Sequence, residues 1–460
     1  MKPSRALLVP LLLATLAVPV EAAQTRAYMT TTDFGTGGLS WIDLATRTVH
    51  TDVAPVFRDA VLRCFGGLVY VVNREGQDNI QVIDPAAGHA TIRNFSVGNG
   101  LNPQDIAFVS ATKAYVSRYD SPDLLVVNPS SPSGGPMSVI PLGAFADADG
   151  SPEMSRMVRV GHYVFVACQR LTSFQPSNPS FVVVVDTRAD TVVDVDPVAA
   201  GKQAIVLAAR NPSTTFAYDP QSGRLLLGCS GAFGVNDGGV EAIDPIALSS
   251  LGLMVTEAEL GGDVTGVAWW RPDHAYAIVG FETAVVSWNP ATGLRKATVY
   301  QPGGFSLADV EVSQAGEVYV ANNGFASPGV YVFRAGPDTL LAGPLGTGLP
   351  PFDLVFDETL ALAVDGALPG LSLSAPWPNP ARVGAVFSLR LARAAELRAE
   401  IFDASGRRVR RLLEEARTMG EHRIAWDLRD DAGTRVASGI YLARFTVDGT
   451  SVTRRIAAMR

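Results

Sequence analysis

Apolar and polar residues alternate along this chain in runs of five or six, and each run stops at a glycine-, proline- or asparagine-containing turn. From Val69 the pattern reads VYVVN, a turn at REGQD, then NIQVID ending at Asp84-Pro85, and a third run that closes at Val97-Gly98. A period of two residues gives each run two distinct faces, which predicts short β-strands rather than helices. The unit recurs, and the residue ending its third strand marks each copy: Asp43, Asp84, Asn128, Asp186, Asp244, Asn289 and Arg334. These markers lie 41, 44, 58, 58, 45 and 45 residues apart.

A repeat of this length built only of short strands predicts a β-propeller, with one four-stranded blade per copy. The two longer intervals hold extra loop, at 131–135 and 144–152 in one and mainly at 196–213 in the other. They leave six or eight blades open beside the seven that the markers give. Innermost strands are predicted at Ala60–Leu62, Ile106–Phe108, Met157–Val158, Phe216–Tyr218, Val267–Trp269 and Val310–Val312. The first copy begins at Ala27-Tyr28-Met29 with its second strand, so its inner strand is missing. Leu354–Phe356, beyond the last copy, can supply it. That exchange closes the ring and removes two exposed sheet edges. The expected fold is all-β: a seven-bladed propeller over 23–364, closed by a C-terminal strand, and then a small Ig-like β-sandwich.

The sandwich is predicted over 375–460, behind a linker at 365–374. Its strands run Ala385–Leu391, Leu397–Phe402, His422–Trp426, Gly439–Val447 and Thr450–Ala457, with hairpin turns at Asp403–Arg407 and Asp430–Gly433. RRVRRLLEEAR, which can be misread as a basic helix, is expected to be a strand over Val409–Leu413 followed by a loop. At the other end, Lys2 and Arg5 precede the apolar run Ala6–Val20, and Val20-Glu21-Ala22 offers small residues for cleavage. Residues 1–22 therefore read as a secretory signal peptide, too short and proline-interrupted for a membrane span. The expected location is secreted or cell-surface.

Charge divides the chain. Up to Leu373, and without the signal segment, there are 19 basic and 34 acidic residues; from Ser374 onward there are 16 arginines and 10 acids. An acidic ring disfavours nucleic acid and anionic membranes as partners. The arginines of the tail alternate with acids along strands and read as a solvated face.

Two resemblances extend these readings. VYVVNREGQDNIQVIDPAAG and VYVANNGFASPGVYVF resemble the YVTN-type (YncE-like) seven-bladed propellers, a group that includes binding and surface-layer proteins as well as lactonases and quinoprotein-type dehydrogenases. PWPNPA, AEIFDASGRRVRRL and GEHRIAWDLRDDAGTRVASGIYLARF resemble the Ig-like domain of the flagellar hook-capping protein FlgD and the C-terminal sorting domain of type IX secretion substrates. The second resemblance implies either a permanent spacer or an address read by the type IX secretion machinery and cleaved after export.

Candidate chemistry is sparse. Aligning the inner strands places Asp59, Asp105, Asp309 and Asp353 just before them, with Arg156, Thr215 and Gly266 in the other blades. At the mouth of a central channel, Asp59, Asp105, Arg156, Asp309 and Asp353 can bind a cation or polar ligand; equally, each aspartate can cap the turn into its strand. Asp147-Ala148-Asp149-Gly150 resembles the start of a calcium loop but lacks the later bidentate glutamate. His50, His89, His162, His274 and His422 lack metal-ligand spacing, and no Gly-x-Ser-x-Gly elbow is present. Trp269 and Trp270 read as packing residues. Cys168 and Cys229 occupy one repeat position in neighbouring blades, too far apart for an easy disulfide. No cofactor is expected. The leading expectation is an exported, non-catalytic propeller that binds a protein or carbohydrate-like ligand or serves a structural role at the surface. The alternative is a secreted propeller enzyme, a lactonase or quinoprotein-like oxidoreductase.

Overall fold

The computed structural model describes residues 24–132 and 136–357, and in the C-terminal part 371–373, 376, 379, 381–391, 394–403, 406–418, 420–447 and 450–459. The predicted signal segment, most of the linker and part of the PWPNPA motif lie outside the described residues.

Seven antiparallel sheets carry the repeat. Blade 1 pairs Pro351–Phe356 with Arg26–Thr32, then Gly37–Asp43 and Val49–Val56. Blade 2 runs outward through Ala60–Phe65, Leu68–Asn73, Asn79–Asp84 and Ala90–Ser96, and blade 3 through Pro103–Ser110, Lys113–Arg118, Asp123–Val127 and Pro136–Pro141. Blade 4 has Met154–Val160, Tyr163–Cys168 and Phe181–Asp186, with a broken outer edge made by Thr191–Val192 and Ile205–Val206. Blades 5, 6 and 7 start at Ala217–Asp219, Gly266–Arg271 and Leu307–Val312 and end at Ser249–Thr256, Leu294–Tyr300 and Thr339–Leu345. The ring closes as its pattern requires: Met29 faces Leu354 and Ala27 faces Phe356.

The repeat marker has a local cause. In six blades its side-chain oxygen accepts the N–H two residues on, as Asp43 does from Ala45, Asp84 from Ala86 and Asn289 from Ala291. This Asx turn reverses the chain between the third and fourth strands. Second and third strands are buried on both faces, and their apolar side chains fill clusters shared by adjacent blades, such as Val61, Tyr70 and Val82 with Ile106, Val116 and Leu125. Side-by-side packing of twisted sheets is what holds such a ring together.

The C-terminal part forms two sheets over a common core that includes Phe387, Ile401, Trp426, Phe445 and Ile456. Two expectations need correction there. Leu371–Leu373, assigned to the linker, forms an edge strand against Leu389–Leu391. Arg408–Arg417 is one continuous strand, with no loop after Leu413. Its charges alternate across the pairing with Ala395–Asp403, so Glu414 accepts from Arg398 at 2.8 Å and Arg408 lies 3.3 Å from Glu400. Cross-strand pairs of opposite sign favour strand over loop.

Candidate functional site

Strand pairing fixes which residues share a level of the central channel. Asp353 pairs with Thr30, Asp105 with Ser117, Asp309 with Ala321 and Gly266 with Ile278, all at equivalent places in their second strands. In blade 2 the equivalent pair is Val61 with Val72. Asp59 is therefore two residues out of register with the ring. Its carboxylate forms an ion pair with Arg74 at the rim instead. The remaining four expected residues do share one level, and two residues further along the strands Arg63 and Glu311 face the same way.

The aspartates do the same thing at each site. Asp105 accepts the N–H of Ile106 in its own strand and of Met157 in the next blade, both at 2.8 Å. Asp309 accepts Val310 and, across the closure seam, Leu354, again at 2.8 Å. Asp353 accepts Leu62 of blade 2 at 2.8 Å. Each carboxylate thus bridges neighbouring inner strands. Hydroxyls add to two of these junctions, Thr30 donating to the Ala60 carbonyl and Ser117 to the Ser155 carbonyl. Arg63 Nε lies 2.9 Å from the fully buried Asp105, and Arg156 Nη2 lies 3.9 Å from Asp353.

Charge crowding is felt at this level. Burial, followed by repulsion from Asp353, pushes the Asp309 carboxyl up to about 7 despite its two backbone donors. Burial and Asp309 push Glu311 well above the carboxylate range. Burial lowers the Arg156 pKa even with Asp353 beside it.

A second carboxylate cluster was only half visible in the sequence. Asp147 and Asp149 are joined by Glu153, with ligand-capable oxygens within 4.8 Å of one another. Glu153 is buried and accepts the Leu171 N–H at 3.1 Å. Its carboxyl is pushed up to about 8 by burial and by Asp149 and Asp147. Asp147 accepts from Asn178 at 2.8 Å and Thr172 at 3.0 Å. Two of the histidines pack against one ring: His50 stacks on Trp41 at 3.9 Å, and His89 lies 6.0 Å from it.

Sequence reasoning missed the loop face. In every blade the chain passes from second to third strand, and from the outer strand to the next inner strand, on the side where the inner strands begin. Among the described residues, Phe34, Phe174, Phe233, Phe281, Phe305 and Phe325 are the exposed phenylalanines, and all six lie in those connections. Phe34, Phe174 and Phe281 also adopt left-handed backbone, with φ of 63°, 63° and 53°, which is costly for a bulky residue. On the opposite side, the connections from third to fourth strand are the polar Asx turns. A usable signal existed, since five of the six phenylalanines have a glycine neighbour, as in Phe34-Gly35 and Gly280-Phe281.

Comparisons with known proteins bear on the fold. Residues 381–451 match the FlgD Ig-like domain family. No curated protein sequence matches the chain. Among solved structures, a putative 6-phosphogluconolactonase from Bacteroides uniformis is 16% identical and aligns over 73% of this chain and 100% of its own, with a TM-score of 0.53. Hydrazine synthase from Kuenenia stuttgartiensis is 17% identical over 70% of this chain and 99% of its own, at 0.46. PorZ, a surface component of the type IX secretion system of Porphyromonas gingivalis, is 14% identical over 95% of this chain and 64% of its own, at 0.41. The likeness at 0.53 speaks for the fold alone. Among the described residues no helix is long and apolar enough to cross a membrane.

Proposed function

We propose that this is an exported, non-catalytic binding protein that uses the loop face of its propeller for recognition, with the FlgD-like domain as an export address or spacer. The observation that carries this reading is the division of labour between the wall of the channel and the loops around its mouth. The channel carboxylates are engaged by backbone N–H groups of adjacent blades, which suits a structural role. The exposed phenylalanines gather on one face, and clustered exposed apolar residues mark interaction surfaces. The signal-like segment and the Ig-like match support passage out of the cytoplasm.

The test is a peptide and glycan array probed with the full chain and with a variant carrying serine at Phe34, Phe174, Phe233 and Phe325. Ligands are expected to bind the wild type and to be lost from the variant at unchanged melting temperature. Hydrolysis of 6-phosphogluconolactone above the spontaneous rate would instead support the enzyme reading. Intact-mass analysis of exported protein separates the two roles of the tail: a product ending near residue 370 indicates a cleaved address, and retention of Arg460 a spacer.

A further inference from the structure

Three of the exposed phenylalanines form a line across blades 5 to 7. Phe233 meets Phe281 edge-to-face with ring centres 4.7 Å apart, and Phe281 meets Phe305 in the same way at 5.8 Å. Phe233 and Phe305 keep 68% and 65% of their surface exposed. Nothing in the described fold covers them. An aromatic line of this length is longer than a single small cation needs.

The charge carried by the connections around the line has one sign, and Arg295 of the outer strand of blade 6 reaches in to donate to the Leu260 carbonyl at 2.6 Å. The five connections that build this part of the face, 230–238, 257–265, 280–283, 301–306 and 323–328, hold Asp237, Glu257, Glu259, Asp263 and Glu282. They contain no lysine, arginine or histidine. Some of these acids have structural duties, Glu257 accepting the Gly238 and Val264 N–H groups and Asp263 that of Gly234. Asp237 accepts the Ala232 N–H at 2.9 Å and Glu259 that of Thr256 at 2.8 Å, and both side chains keep exposed surface. Burial raises the Glu282 carboxyl above its usual pKa, a penalty that a docked ammonium or guanidinium removes.

Resting on the loop-face reading above, we propose that this line of rings is the docking site for an extended peptide segment in which basic and apolar side chains alternate. In an extended chain, side chains two apart point the same way at a spacing of about 6.4–6.8 Å, so two of them fit along the surface that the three rings cover in successive steps of 4.7 and 5.8 Å. Apolar side chains rest on the exposed surfaces of Phe233 and Phe305, while the long basic side chains of the same segment bend back past its backbone to reach Asp237 and Glu282, and a ring face can also accept a cation directly. Charge complementarity selects this occupant over an acidic or neutral one.

The probe is a short fluorescent peptide of alternating lysine and leucine, titrated with the full chain and followed by anisotropy. Binding is expected to weaken with salt, to fall at least tenfold when glutamate replaces lysine in the peptide, and to fall at least tenfold in F233S/F305S at unchanged melting temperature. Equal binding of the lysine and glutamate peptides, equal binding by F233S/F305S, or no binding overturns the proposal. An array ligand of another class that F233S/F305S loses would overturn the peptide assignment and leave the loop face as the binding surface. A ligand indifferent to every loop-face phenylalanine would overturn both.

Discussion

Replacing Asp105 by alanine removes three interactions at one point in the ring. The N–H groups of Ile106 and Met157, each 2.8 Å from the carboxylate, lose their acceptor, and Arg63 loses the carboxylate 2.9 Å from its Nε. Asp105 is fully buried, so water has little access to replace it. Breaking a buried pair in this way costs about 3–5 kcal/mol, and orphaned backbone donors account for much of it. The ring spans residues 26 to 356, and a cooperative unit of that length unfolds with an entropy of about 0.7 kcal/mol/K. The melting temperature should therefore fall by roughly 4–7 °C. Asp59 provides the control, because the register places it outside the ring, paired with Arg74 at the part-exposed rim. An ion pair of that kind is worth less than about 1 kcal/mol, so D59A should shift melting by no more than roughly 1.5 °C. Tryptophan fluorescence or calorimetry reads both. A drop for D105A no larger than that for D59A would refute the bridging role.

Other outcomes follow from named groups. Glu153 holds its proton up to about pH 8 in the folded state, far above the unfolded value of about 4.3. The native state therefore loses stability as pH rises through that window, and E153Q should gain on the wild type between pH 5 and pH 9; a pH-independent difference in melting temperature would contradict this. Phe281 carries its ring on left-handed backbone at φ 53°, so F281G should be more stable than F281A by about 1 kcal/mol in denaturant titration, and equal stabilities would dispute the loop conformation. Cys168 and Cys229 are buried and form no disulfide, and burial pushes the Cys168 thiol up to about 12. Neither should react with a thiol reagent until the ring unfolds, and rapid labelling of either in the native protein would be the contrary result.

The parts of the fold visible in the sequence are those fixed locally. Asp43, Asp84 and Asn289 announce their turns because one side chain and one nearby N–H make them. The closing strand at Leu354–Phe356 was legible because the first repeat begins one strand late. Register was harder. Asp59 precedes an apolar triplet just as Asp105 does, and only the pairing of Val61 with Val72 shows that blade 2 is offset. The strand through Arg408–Arg417 was cut short because its charges look like a loop until Arg398 and Glu400 are placed opposite them. Glu153 joins Asp147 and Asp149 through a tight turn, with φ of 44° at the glutamate itself, and does not follow the spacing of a calcium loop. The loop-face phenylalanines lie scattered in sequence from residue 34 to residue 325, and only the blade order brings them to one side.

The division between a channel that holds the ring and a face that recognises a partner is tested most directly by a crossed comparison. D105A and F233S/F305S are each measured for melting temperature and, well below melting, for binding of the lysine–leucine peptide. D105A should melt several degrees lower and bind as the wild type does, while F233S/F305S should melt as the wild type does and lose binding at least tenfold. Loss of binding in D105A with retention in F233S/F305S would place recognition in the channel and contradict the account.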